Sequence, residues 1–145
     1  AARFYILIKD SFVSDIRSFG VRPRNIANAI EYISKVSERL NMVLIENQDF
    51  RHILKTYDKN ETLFYLDPPY YEAEEYYTDR FIPEDHIRLK EALSRIKGKF
   101  LLSYNNCEYI RKLYTEYNVV EVERAHNLVQ EKEKPRCKEL LIKNY

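Results

Sequence analysis

Leu63-Phe64-Tyr65-Leu66-Asp67-Pro68-Pro69-Tyr70 is a run of four apolar residues cut off by a carboxylate and two prolines. With Thr62 in front, the run has the length and the unbroken hydrophobicity of a buried strand. Two consecutive prolines lack two ladder donors and cannot continue a central strand, so the strand ends at Leu66 and a loop begins at Asp67.

On either side the pattern alternates between helix and strand. Upstream, Met42-Val43-Leu44-Ile45 is a second short apolar run, expected as a buried strand. Asp49 can cap a brief helix through Tyr57, and Asp58-Lys59-Asn60 is a turn. Earlier still, Asn25 can cap a helix in which Ile26, Ile30, Ile33, Val36 and Leu40 recur at spacings of three and four. Gly20 to Arg24, with Pro23, separates that helix from another over Arg3 to Ser14.

Downstream, residues 71–80 form a polar, tyrosine-rich loop, and Pro83 suits the first turn of a helix whose apolar side carries Ile87, Leu89, Leu93 and Ile96. Phe100 to Ser103 predicts a strand and Glu108 to Tyr114 a short helix. Val119 to Val122 and Glu139 to Ile142 predict two further strands. The expected fold is an α/β sheet with helices on its faces and the last two strands as an antiparallel pair at one edge. No repeat or linker interrupts it, which predicts a single domain over residues 1–145, helical over 1–41 and α/β over 42–145.

Composition excludes several classes. The chain of 145 residues is 45% hydrophobic and 32% charged, with no apolar run near the roughly 20 residues that cross a bilayer. No membrane role and no signal peptide are expected. Cys107 and Cys137 stand alone, as do His52, His86 and His126, so neither a disulfide framework nor a metal site is predicted. Incidental thiols suit a cytoplasmic protein. Residues 1–24 are basic through Arg3, Lys9, Arg17, Arg22 and Arg24, whereas residues 71–85 are acidic, and the formal net charge is +1. With only two glycines, Gly20 and Gly98, the chain has no glycine-rich loop for a nucleotide cofactor. It begins Ala1-Ala2-Arg3 rather than with Met, which reads as a fragment.

In open α/β sheets ligands bind beyond the carboxyl ends of the strands, and Asp67-Pro68-Pro69-Tyr70 follows such an end. An exocyclic amine on an aromatic ring is a poor nucleophile because its lone pair is delocalised. A carboxylate and an aimed carbonyl that accept its two N–H groups localise that pair. Prolines hold the carbonyl in place, and an aromatic ring keeps the base flat, with stacking contributing roughly 1–3 kcal/mol. Asp67, the Pro68 carbonyl and Tyr70 supply these parts in order. The plain alternative is a turn after a strand, since Asp and Pro are common there.

Leu63 through Tyr70 resembles the catalytic strand and loop of the Dam-type (class alpha) DNA adenine-N6 methyltransferases. Glu46-Asn47-Gln48-Asp49-Phe50 is similar to that family's cofactor-contacting segment, Phe81 through Leu93 to the helix after its catalytic loop, and Phe100 through Asn105 to the next strand. Glu139 through Tyr145 resembles its closing strand. The resemblance implies a partial Rossmann-like methyltransferase sheet that uses S-adenosylmethionine to methylate adenine flipped out of double-stranded DNA. It further implies that Asp67, Pro68, Pro69 and Tyr70 are catalytic. Asp49 and Phe50 would hold the cofactor's adenine, and Asp67 would contact both cofactor and amine.

Two features depart from the family. Its N-terminal cofactor-binding lysine segment and glycine-rich loop are missing here, so residues 1–145 alone are expected to bind cofactor weakly and to be inactive. The stretch from Phe12 to Ile26 is short for a DNA-reading segment, like those of compact phage-like or restriction-associated members, so the resemblance admits a companion restriction endonuclease as a partner and equally a solitary enzyme. Arg17, Arg22 and Arg24 are the candidates for DNA contacts, although exposed arginines are ordinarily solvated surface. Tyr70, Tyr71, Tyr76 and Tyr77 could fold over a flipped base. Methylation of RNA adenine or protein glutamine, and a non-catalytic DNA-binding remnant, remain as alternatives.

Overall fold

A computed structural model of the chain describes residues 4, 8–11, 20, 25–74, 81–125 and 136–145. The chain divides into two compact units, Ala1–Glu46 and Asn47–Tyr145.

The first unit contains helix α1, Ile26–Leu40, capped as expected by the Asn25 side chain, which accepts the Asn28 amide at 3.2 Å. Its apolar stripe stays open: Ile30, Ile33, Val36 and Leu40 are all exposed. The expected strand at Met42 to Ile45 does not form. Met42 lies in the turn that closes α1, where the Val43 amide donates to the Leu40 carbonyl, the residues after it pair with no strand, and Met42 is 97% exposed. An apolar run becomes a strand only when a neighbour accepts its ladder hydrogen bonds, and no described residue supplies one.

The second unit runs α2 (Phe50–Tyr57), β1 (Leu63–Leu66), α3 (Pro83–Leu93), β2 (Lys99–Asn105), α4 (Glu108–Leu113), β3 (Asn118–Ala125) and β4 (Arg136–Lys143). The four strands lie in the order β1-β2-β4-β3. β1 and β2 are parallel, with Phe64 beside Phe100 and Leu66 beside Leu102. The last two strands are antiparallel as expected, and the final one inserts between β2 and β3. The fold class is therefore mixed α/β.

Register explains where the core sits. Successive side chains point to opposite faces of a sheet, so Phe64, Phe100, Leu102, Tyr104, Leu140 and Ile142 share one face, and all are buried. Leu54 of α2, Leu89 and Leu93 of α3 and Ile110 of α4 complete the same cluster. Each such side chain contributes roughly 1.5–3 kcal/mol. The opposite face is more open, with Leu63 58% and Tyr65 65% exposed. The sheet was expected to carry helices on its faces, yet among the described residues of this unit the core lies on one face only. The apolar side expected for α3 needs a further correction: Ile87 is exposed, and the buried polar position of that helix is His86. Among the described residues, no helix is long and apolar enough to cross a membrane and no cluster could hold a metal ion.

Candidate active site at the rim of the sheet

The ladder that sets Leu66 beside Leu102 brings the next residue, Asp67, beside Ser103. The Ser103 hydroxyl donates to Asp67 Oδ1 at 2.8 Å, fixing one carboxylate oxygen at the carboxyl end of the sheet. No other hydrogen bond to Asp67 occurs among the described residues, so Oδ2 can accept another donor. The Asp67 side chain is exposed and faces a cleft of about 590 Å³.

Asp49, Phe50, Leu66, Pro68, Pro69 and Phe81 line that cleft with it. Asp49 reaches the rim because it ends the segment before α2 and caps that helix, its Oδ1 accepting the Arg51 amide at 2.8 Å. The Arg51 guanidinium grips the same carboxylate at 2.9 Å through both Nε and Nη2. These hydrogen bonds, the side-chain one foremost, hold the Asp49 carboxyl down at about 2. Phe50 is half-buried, 6.2 Å from Phe81 between ring centroids, with Arg51 Cζ 5.9 Å over its ring. Among the described residues the lining holds an aromatic face, apolar walls and two carboxylates, one of them paired with Arg51, an arrangement that suits a flat heteroaromatic ligand.

The loop leaving Asp67 is held at several points. Tyr70 packs on Tyr104, ring centroids 6.3 Å apart, and the Ala73 amide donates to the Tyr70 carbonyl at 3.0 Å. Glu72, third in that turn, has φ 64°, the left-handed conformation a type II turn requires at that position. Asn105 brackets Tyr71, accepting its amide and donating to its carbonyl, each at 3.1 Å. Tyr71 itself stacks on Tyr109 at 4.3 Å, which commits its ring to an intramolecular contact.

Of the residues expected at a site, Asp67, Pro68, Pro69, Asp49 and Phe50 therefore share one cleft, with Tyr70 on the same loop. Arg17, Arg22, Arg24, Tyr76 and Tyr77 lie outside the described residues. Sequence reasoning did not single out Ser103 or Asn105, although both are polar residues at the end of an otherwise apolar strand, which was signal enough. For His86, in a charged stretch of helix, there was none.

A model of the D12 class N6 adenine-specific DNA methyltransferases matches residues 16–128. The chain belongs to that family. Among its relatives is the Type II methyltransferase M.CviBI of Paramecium bursaria Chlorella virus NC1A, 28% identical over an alignment that takes in the whole chain. The chain spans 61% of that relative's length. The family match includes the whole cleft, the Asp67–Tyr70 loop and strand β2.

Proposed function

We propose that the protein is an S-adenosylmethionine-dependent enzyme that methylates N6 of adenine in double-stranded DNA. The observation that carries this reading is the Asp67 carboxylate, pinned through Oδ1 by Ser103 and open at Oδ2, at the mouth of a cleft walled by Phe50 and two prolines.

S-adenosylmethionine supplies an electrophilic methyl group on a sulfonium. Phe50 offers a face to its adenine, and Asp49 and Asp67 offer negative charge. The lining thus fits one side of that cofactor. Asp67 Oδ2 and the Pro68 carbonyl accept the two N–H groups of the target amine, which concentrates the lone pair on nitrogen. Ser103 keeps the carboxylate aimed, so no reorganisation is needed as charge develops. Pro69 stiffens the loop, and Tyr70 offers the stacking surface for the flipped base.

The finer architecture and the partners belong to the same reading. The four strands are part of a Rossmann-like sheet, a view supported by β1's second edge, which pairs with no strand among the described residues, and by the exposed Leu63 and Tyr65 on the open face. Residues 1–41 serve DNA recognition, with Arg17, Arg22 and Arg24 contacting the duplex, and residues 42–145 form the catalytic α/β part of one domain. Since M.CviBI is named a Type II methyltransferase, a companion restriction endonuclease is the proposed partner, and the cytoplasm the proposed site of action.

The test is methyl incorporation from labelled S-adenosylmethionine into duplex DNA, RNA and protein, by a chain extended to its relative's length. Label in the N6 position of duplex DNA is expected. Asp67→Ala should lower kcat on the order of 10²–10³-fold, as removal of one preorganised electrostatic group does, with an unchanged circular dichroism spectrum. Label in RNA or protein alone would refute the acceptor, and a fully active Asp67→Ala variant would refute the mechanism.

A further inference from the structure

His86 is fully buried on α3, on the side that faces the core. Both of its ring nitrogens are engaged: Nδ1 lies 2.6 Å from the Tyr104 hydroxyl and Nε2 lies 2.7 Å from Glu74 Oε1. Tyr104 is itself fully buried and belongs to β2. Glu74 ends the described stretch Asp67–Glu74 of the connection from β1 to α3, so three separate segments meet at one imidazole.

The two partners set the polarity of this chain of hydrogen bonds for a neutral imidazole. Burial drives the Tyr104 phenol upward, so it keeps its proton. Burial also pushes the Glu74 carboxyl up, but hydrogen bonds from His86 and from the Glu74 and Glu72 amides outweigh it and hold the group below its usual value. An ionised carboxylate only accepts, so Nε2 carries the hydrogen. In the neutral ring Nδ1 then accepts, and the Tyr104 O–H donates to it. For a neutral imidazole, one tautomer, with the hydrogen on Nε2, satisfies both partners.

A hydrocarbon at position 86 would fill this space without desolvating three polar groups. The polar chain instead ties the loop to the sheet. Ser103 holds the loop's beginning, Asn105 its middle and, through His86, Tyr104 its end, so three consecutive residues of β2 fix it. Tyr104 carries Tyr70 on its ring, and the imidazole is boxed by Phe81 at 4.8 Å and Tyr71 at 5.5 Å.

We propose that His86 is a positioning residue: with Glu74 and Tyr104 it latches the far end of the Asp67–Glu74 loop and thereby sets the placement of Tyr70. Its consequence for turnover rests on the methyltransferase reading above, whereas the latch itself is tested without it.

In the 145-residue chain, Glu74→Ala should speed amide hydrogen exchange roughly tenfold at Tyr71 and Ala73, whose own amides donate to Asn105 and to the Tyr70 carbonyl rather than to Glu74, and leave Leu101 in β2 unchanged. Glu74→Gln, whose Oε1 still accepts from Nε2–H, should restore the protection. Nitrogen NMR should show His86 protonated at Nε2 alone. Unchanged loop exchange in Glu74→Ala, equal acceleration in β2, or an Nδ1-protonated ring would overturn the latch. In the extended chain, Glu74→Ala should lower kcat while the KM for S-adenosylmethionine holds. Loosened exchange with an unaltered kcat would overturn the placement of Tyr70. Absence of methylation by the unsubstituted enzyme would count against the proposed function, while exchange would still judge the latch.

Discussion

The Tyr114 hydroxyl lies in the core with no hydrogen-bond partner among the described residues. Burial raises its pKa, so the group stays a neutral phenol. A buried hydroxyl without a partner costs free energy that a hydrocarbon does not. Tyr114→Phe should therefore raise the free energy of unfolding by about 1 kcal/mol, measured by urea denaturation. At the rim, Asp49 makes a second prediction. Its folded pKa of about 2 lies below the ordinary aspartate value of 3.8, so its cap and ion pair stabilise the fold above the unfolded value and fade as pH falls from near 4 toward 2. Half of the side chain is exposed, so solvent screens the energetic effect. Carboxyl-carbon NMR should find the Asp49 midpoint near 2, moving up to the ordinary carboxylate range in Arg51→Met. A midpoint near 4 in the unsubstituted protein would contradict the Arg51 contact. The role of Asp49 as a helix cap could be anticipated because an N-cap depends only on local order. The grip of Arg51 could not, since it depends on a rotamer that tertiary surroundings select.

Among the elements, the base of the sheet is where local sequence and long-range contact meet. Gly98 joins α3 to β2, and a Cβ there would lie 2.7 Å from the Thr62 carbonyl oxygen and 2.9 Å from that of Lys59. Asp58 accepts the Lys97 amide at 2.8 Å and the Gly98 amide at 2.9 Å, while Asn144 donates to the Gly98 carbonyl and accepts from the Phe100 amide. Backbone atoms cannot retreat as a side chain can, so Gly98→Ala should destabilise by roughly 1–3 kcal/mol, the range for overpacking, read as a lower thermal midpoint. A midpoint unchanged from the parent would mean that the β1–β2 connection yields. Helix α2, strands β1, β2, β3 and β4 and helix α3 were all legible, because each carries a cap, a proline or an apolar run that acts locally. Met42 to Ile45 misled for the converse reason: hydrophobicity proposes a strand, but a neighbouring strand must complete it. The exposure of Ile87 has the same origin, since α3 turns His86 rather than Ile87 toward β2.

At the level of the whole molecule, every residue of the core cluster falls between Leu54 and Ile142, within the unit Asn47–Tyr145. Burial of that cluster is a property of this unit alone, which predicts that residues 47–145 fold without the first 46. The truncated chain should unfold cooperatively and keep the amide NMR pattern of β2 and β4. Loss of dispersion in that spectrum would show that the second unit depends on the first. The same unit carries the cleft, and the truncation should therefore leave the Ser103–Asp67 hydrogen bond in place, visible as a protected hydroxyl proton or an unperturbed Ser103 amide.

Chain order by itself determined the α/β alternation, the break after Leu66, the antiparallel closing pair and the tetrapeptide at the rim, since proline geometry, capping and side-chain period act over a few residues. Tertiary structure alone decided that β4 inserts between β2 and β3, that Ser103 rather than solvent meets Asp67, and that a buried histidine ties the loop to the sheet. Those outcomes depend on strand register and on which face a helix presents, and both are fixed only when distant segments compete to bury the same surface.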